Sequence, residues 1–231
     1  MLFGQLLTAF LHHLICSGNL CASVSIQTKM RTFLEACLHT DAARYNYGIT
    51  HGIVSGAVTY VHRVLDSIDQ QLEQGADAKL AELVELANLS AIIGNLFRTG
   101  IVKSSDNRFK SNLPHTYPDL LANHADCVDF EIKVALENNK PKGHLVKPGP
   151  HLTIRYVLAD HEGNYKRGKE NRGNVPWIWE VRVGALTEAH FNFSNTDGDS
   201  GKTAVINAAG MNALSVVYFD KDRCPLVRGL A

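Results

Sequence analysis

No apolar run in this chain approaches the roughly 18 to 20 residues that a membrane-spanning helix requires. Cysteine is scarce and scattered. Cys16, Cys21, Cys37, Cys127 and Cys224 are odd in number and include no CxxC pair, which argues against a disulfide framework or a zinc site and points to a reducing cytoplasm. Net charge is missing too: 23 basic residues balance 23 acidic ones, which argues against a nonspecific nucleic-acid coat protein. There is no internal repeat and no low-complexity tract. Residues 1–22 lack the basic start of a secretion signal, and His12-His13 interrupts their apolar run. Phe3, Leu6, Leu7, Phe10, Leu11 and Leu14 recur instead at helical spacing, so a packed amphipathic helix is expected there.

What is present is ample apolar material for a core within 231 residues, and an uneven spread of charge. Residues 1–95 hold five Lys and Arg against eight Asp and Glu, whereas residues 138–182 hold nine against four. The basic surplus follows the stretch around which the chain is organised, residues 116–136. Over 127–136 the two-residue period of a strand puts Val128, Phe130, Ile132, Val134 and Leu136 on one face and Asp129, Glu131 and Lys133 on the other. Ionised groups on a core-quality strand are costly unless paired or holding a metal. Pro118-Asp119 lies just upstream and brings a further carboxylate to the same strand end. Asp119 and Glu131 suit a hard divalent cation such as Mg²⁺, and Lys133 suits a water or a phosphate.

Pro118-Asp119, eleven intervening residues and then Glu131-Ile132-Lys133 resemble the PD-(D/E)xK nuclease motif of restriction endonucleases and related DNA-cleaving enzymes. The resemblance implies an α/β (α+β) fold with an α-β-β-β-α-β core and a mixed sheet over residues 77–231, preceded by a helical region over 1–76. It implies Mg²⁺ held by Asp119, Glu131 and the Ile132 carbonyl, with Lys133 orienting or deprotonating the attacking water. It further implies hydrolysis of double-stranded DNA by a site-specific type II restriction enzyme, a homodimer in a prokaryotic cytoplasm. The tracts PWIWEVRVGAL and SNTDGDSGKTAVI look like those of small enzymes that cut sites containing 5-methylcytosine, with Trp177 and Trp179 as aromatics for an extruded base. Alternatives are a repair or recombination nuclease of the same chemistry, and a non-catalytic DNA-binding protein whose acidic strand face makes salt bridges.

The remaining expectations are local. Helices are expected over 26–38, 53–74 and 77–98, the last capped by Asp77 and carrying Glu82 or Glu85 as an auxiliary acid beside Asp129. Residues 99–117 read as a polar connection bringing Arg108, Lys110 and His115 toward DNA. Lys140, Lys142 and Lys147 follow the central strand. Strands are expected over 152–158 and 177–183, separated by a flexible basic insertion bearing Lys166, Arg167, Lys169 and Arg172. NTDGDSGKT is similar to a P-loop, but Thr196 stands where glycine is required and Asp197 and Asp199 would repel a triphosphate, so no nucleotide is expected. A helix over 202–212 then offers Lys202 and Ser200 to a phosphate at its start, and leads to a strand over 214–219.

Overall fold

The computed structural model describes residues 30–114, 116–194 and 203–226. The candidate helix over residues 3–14, His115, Ser200, Lys202 and the tract resembling a P-loop lie outside the described residues.

The first long element is α1, His51–Ala76, which buries Ile53, Val54, Ala57, Val58, Val61, His62 and Leu65 at helical spacing. Thr50 caps its start by accepting the Ile53 amide through its hydroxyl, and Asp77 ends it in the left-handed region. Asp77 therefore closes one helix and does not open the next, as its sequence position suggests. The expected helix over 77–98 is two helices, α2 (Leu80–Leu83) and α3 (Leu86–Ser104), with extended Val84 and Glu85 between them. Of the residues expected to be helical over 26–38, those described carry no helix from Met30 to Leu34 and form a 3-10 turn at Glu35–Cys37. Arg31 is anchored there by Asp66 and Asp69 of α1, so tertiary ion pairing overrides the local pattern.

After α3 come β1 (Phe109–Ser111) and β2 (Leu120–Ala122), an antiparallel pair. The main sheet contains β3 (Glu131–Leu136), β5 (Gly149–Ala159), β6 (Val175–Leu186) and β9 (Ser215–Phe219) in the order β3-β5-β6-β9. β3 runs parallel to β5 and the other neighbours are antiparallel, so the sheet is mixed. A second sheet joins β4 (Lys142–Gly143), β8 (Thr203–Ile206) and β7 (Phe191–Ser194) in the order β4-β8-β7. The helix expected over 202–212 is a strand in its first part: residues 203–206 pair with β7, Ala204 and Val205 also with β4, and the helix, α4, begins only at Ala208 and runs to Ala213.

One face of the main sheet, through Ile132, Leu152, Ile154, Tyr156, Val181 and Val183, joins α1 and α3 in a single apolar cluster. Trp177 and Trp179 belong to a different cluster with Val157, Ala159 and Val175, and both are buried, the core placement usual for alternating tryptophans on a strand. The outcome is a mixed α/β architecture with helices at its N-terminal side. Among the described residues no helix is long and apolar enough to cross a membrane.

Candidate active site

β3 is the outer strand of the main sheet, and its free edge organises the site. Leu120 and Phe130, both fully buried, exchange two backbone hydrogen bonds of 3.0 and 2.8 Å in an isolated antiparallel bridge. The bridge fixes the register of the Pro118-Asp119 arm against the start of β3 and sets Asp119 opposite Glu131. The Ile132 amide donates to Asp119 Oδ2 at 2.8 Å. Its N–H therefore points away from β5, and the carbonyl of the same residue shares that direction along an extended strand. Asn112 secures the arm, its side-chain amide donating to the Pro118 carbonyl at 2.8 Å.

Glu131 is 2 % exposed. Its Oε1 accepts from Lys133 Nζ and, at 2.7 Å, from Lys147 Nζ, while Oε2 is buried with no hydrogen-bond partner. Burial opposes its ionisation, but the two ammonium groups outweigh that and hold its carboxyl below the ordinary glutamate range. Asp119 behaves oppositely: burial, reinforced by the Glu131 charge, raises its pKa against the lowering effect of the Ile132 amide. Two acids of one site are thus pushed apart in proton affinity. Lys133 lies against β4, where a Cβ on Gly143 would approach its Nζ to 3.3 Å, so glycine provides the room for the lysine. The Lys147 ammonium also sits 4.7 Å from the Tyr117 ring centroid.

A cleft of about 790 Å³ follows this edge. Asp119, Ile132, Lys133 and Val134 line its floor; α3 and the β4 segment, with Lys142, His144 and Lys147, supply walls. Among the described residues no three His, Cys, Asp or Glu side chains converge as a metal cluster. The available donors are instead two carboxylates and a main-chain carbonyl. All are oxygens, one of them, Glu131 Oε2, lacks a partner, and Asp119 keeps one oxygen outside the bond to Ile132. Mg²⁺ characteristically takes one or two carboxylates and keeps several waters, so these residues fit it.

The chain matches no family model, and no curated protein matches its sequence.

Other expected site residues are dispersed. Asp129 is exposed and accepts the Ala122 amide at 2.7 Å. Glu82 accepts from the Lys79 amide and from Asn174, and Glu85 is the N-cap residue of α3; neither lines the cleft. Arg108 pairs with Asp126 at 2.5 Å, and Lys110 is exposed on β1. Lys140 is exposed beyond the end of β3. Lys166, Arg167, Lys169 and Arg172 follow the far end of β5, about 26 Å along the strand from His151, the partner of Glu131. Arg172 forks onto both Glu137 oxygens at 2.7 and 2.9 Å, and Arg167 donates to the Leu226 carbonyl. The insertion is therefore tied down in part and stands away from the cleft.

Sequence reasoning missed three groups. Lys147 appeared only as a DNA contact, whereas it shares Glu131 with Lys133. Arg98 lines the cleft from α3. His151, fully buried beside Glu131 in the parallel ladder, donates from Nδ1 to the Gly149 carbonyl at 2.9 Å and leaves Nε2 without a partner. Only His151 gave a signal, as a histidine in phase with apolar strand neighbours.

Proposed function

We propose that the chain is a metal-dependent endonuclease that hydrolyses phosphodiester bonds of DNA in the manner of PD-(D/E)xK enzymes. The observation that carries this reading is the meeting of Asp119, Glu131 and Lys133 at the open edge of β3, where Asp119 and Lys133 line a cleft with cationic walls and Glu131 is buried behind them. The run of α3, the β1–β2 pair, β3, β5 and β6 supports a likeness to the start of an α-β-β-β-α-β core, with β2 paired to β1 outside the main sheet and the short β4 inserted before β5. Beyond β6 the likeness weakens, because β7 and β8 intervene and the following helix has six residues.

In this reading Asp119, Glu131 and the Ile132 carbonyl hold Mg²⁺, which supplies a polarised phosphoryl oxygen and an acidified water. Lys133 presents its ammonium to the reacting phosphate and counters the charge that builds on it. Lys147 performs the same electrostatic service from the other side of Glu131. Asp119, held by the Ile132 amide, is oriented before substrate arrives, which removes part of the ordering cost. We further read the enzyme as a site-specific cutter of double-stranded DNA acting as a homodimer.

A second reading has an observation of its own. Glu131 Oε1 is already shared by two lysines, as expected of a structural ion-pair cluster in a non-catalytic DNA-binding protein. Incubation with Mg²⁺ and matched plasmids, unmethylated or methylated at cytosine or adenine, separates the two. Discrete fragments that vanish with Lys133→Ala and Asp119→Asn support the nuclease, and the plasmid that is cut reports its methylation requirement. Binding that survives chelator, with no cleavage of any substrate, leaves the binding protein.

A further inference from the structure

The cleft wall formed by α3 carries a cation, Arg98, that enters no ion pair among the described residues. Ala87, Ser90, Ala91, Gly94, Asn95 and Arg98 form one stripe of the helix facing β3. Its small residues let the strand approach, with Val134 Cγ2 only 3.1 Å from where a Cβ on Gly94 would lie, and Arg98 ends the stripe. Among the described residues, Arg98 donates from Nη2 to Asn95 of its own helix at a long 3.3 Å, and its Nε is buried without an acceptor. This contrasts with Arg31, Arg108, Arg155, Arg172, Arg182 and Arg223, each of which faces a carboxylate. On the other wall Lys142 is exposed and enters no ion pair among the described residues.

Between these two cations runs the free edge of β3. Because the Ile132 amide points outward to Asp119, strand alternation sends the Val134 N–H outward as well, about 6.6 Å further along. A guanidinium, an ammonium and an outward amide lining one cleft offer an anion its donors. These groups share the cleft with Asp119 and Lys133 but take no part in the contacts of Asp119 with the Ile132 amide or of Lys133 with Glu131.

We infer that Arg98, Lys142 and the Val134 amide bind the phosphodiester next to the one that is cut, so the cleft grips two consecutive phosphates of a single strand. The identity of the anion rests on the nuclease reading; the receptor rests on the geometry of the cleft. Arg98 sets where the strand lies and takes no part in the chemical step. Its removal therefore weakens binding and raises KM while leaving kcat within a few fold.

The test is fluorescence anisotropy in EDTA, where cleavage does not intervene, with short labelled duplexes and single strands each carrying one methylphosphonate at successive positions. The wild-type protein is expected to lose affinity at two adjacent positions. Arg98→Gln should bind the unmodified strand about tenfold more weakly, lower the slope of log affinity against log salt by about one, and lose its sensitivity at one of the two positions. Arg98→Lys should recover part of the affinity, and Lys142→Gln should desensitise the same position from the opposite wall. Melting curves establish that each variant is folded. An Arg98→Gln protein that keeps wild-type affinity and both sensitivities overturns the proposal, as does a wild-type protein that binds no DNA. A two-phosphate footprint without cleavage in Mg²⁺ supports the subsite and sinks the nuclease reading alone.

Discussion

Replacing Glu131 with glutamine separates a metal site from a structural salt bridge. Glutamine keeps the shape of the side chain but removes a buried charge flanked by the Lys133 and Lys147 ammonium groups, whose side chains are 16 % and 29 % exposed. Breaking a fully buried pair costs about 3 to 5 kcal/mol; the partial hydration of both lysines reduces that to about 1 to 3 kcal/mol. Both readings share this loss of stability. They differ in the response to cation. A protein that holds Mg²⁺ only when folded gains RT ln(1 + [L]/Kd), about 1.4 kcal/mol at a tenfold excess over the dissociation constant, or about 3 to 6 °C in melting temperature for a chain of this size. The assay is thermal melting of wild type and Glu131→Gln across a Mg²⁺ titration, with NaCl at matched ionic strength as control. The expected result is an upward shift in wild type that largely disappears in the variant. An unchanged shift in Glu131→Gln, or none in wild type at 20-fold the usual assay concentrations of Mg²⁺, refutes the assignment of Glu131 as a ligand.

Four further outcomes are expected. Lys133→Ala should lose at least about 100-fold in cleavage rate while retaining DNA binding in chelator, as measured by gel assay and anisotropy on the same preparation. Burial lowers the pKa of His62 to about 3, so the folded state stays neutral while the unfolded chain takes up a proton below its ordinary value of 6.5. Stability is therefore complete above pH 6.5 and falls as pH drops toward 3, by about 3 kcal/mol at pH 4; urea midpoints of His62→Gln should fall less steeply over that range. Gly100→Val should cost about 1 to 3 kcal/mol in urea unfolding, because even a Cβ would stand 2.8 Å from the Ala57 Cα where α1 crosses α3. Arg172→Ala should destabilise by about 1 kcal/mol through loss of the Glu137 fork and leave cleavage unchanged, contrary to its first reading as a DNA contact.

The strands and the Asp119, Glu131 and Lys133 grouping were legible because their signals are local. Alternation marks β3, β5 and β6, and the proline, aspartate, glutamate and lysine of the motif sit on the same short arm and strand. The errors arose where distant partners decide conformation. Residues 203–206, mostly apolar and followed closely by Ala208 and Ala209, suit a helix until β4 and β7 claim their backbone; Asn207, which accepts the Gly210 amide through its side chain, marks the true helix start. Asp77 has a capping side chain, but the length of α1 decides which helix it serves. Lys147 reaches Glu131 only because the chain turns back through β4, and Arg98 enters the cleft only because α3 is rotated to lay its small residues on Val134. Neither placement has a spacing rule. The eleven-residue interval between Asp119 and Glu131 likewise reads as a motif, but its geometry comes from the Leu120–Phe130 bridge.

The bond from the Ile132 amide to Asp119 has a consequence unrelated to chemistry on a phosphate. An outer strand with open main-chain donors invites pairing with another chain, and a charged side chain folded back over the donor is one way to deny that partner. Asp119 thus guards the sheet against self-association. A neutral, isosteric asparagine still covers the amide, whereas alanine strips it. Asp119→Ala should accordingly form soluble oligomers on size-exclusion chromatography where Asp119→Asn does not, and a loss of activity in the alanine variant alone conflates a missing ligand with a sheet left open at its margin.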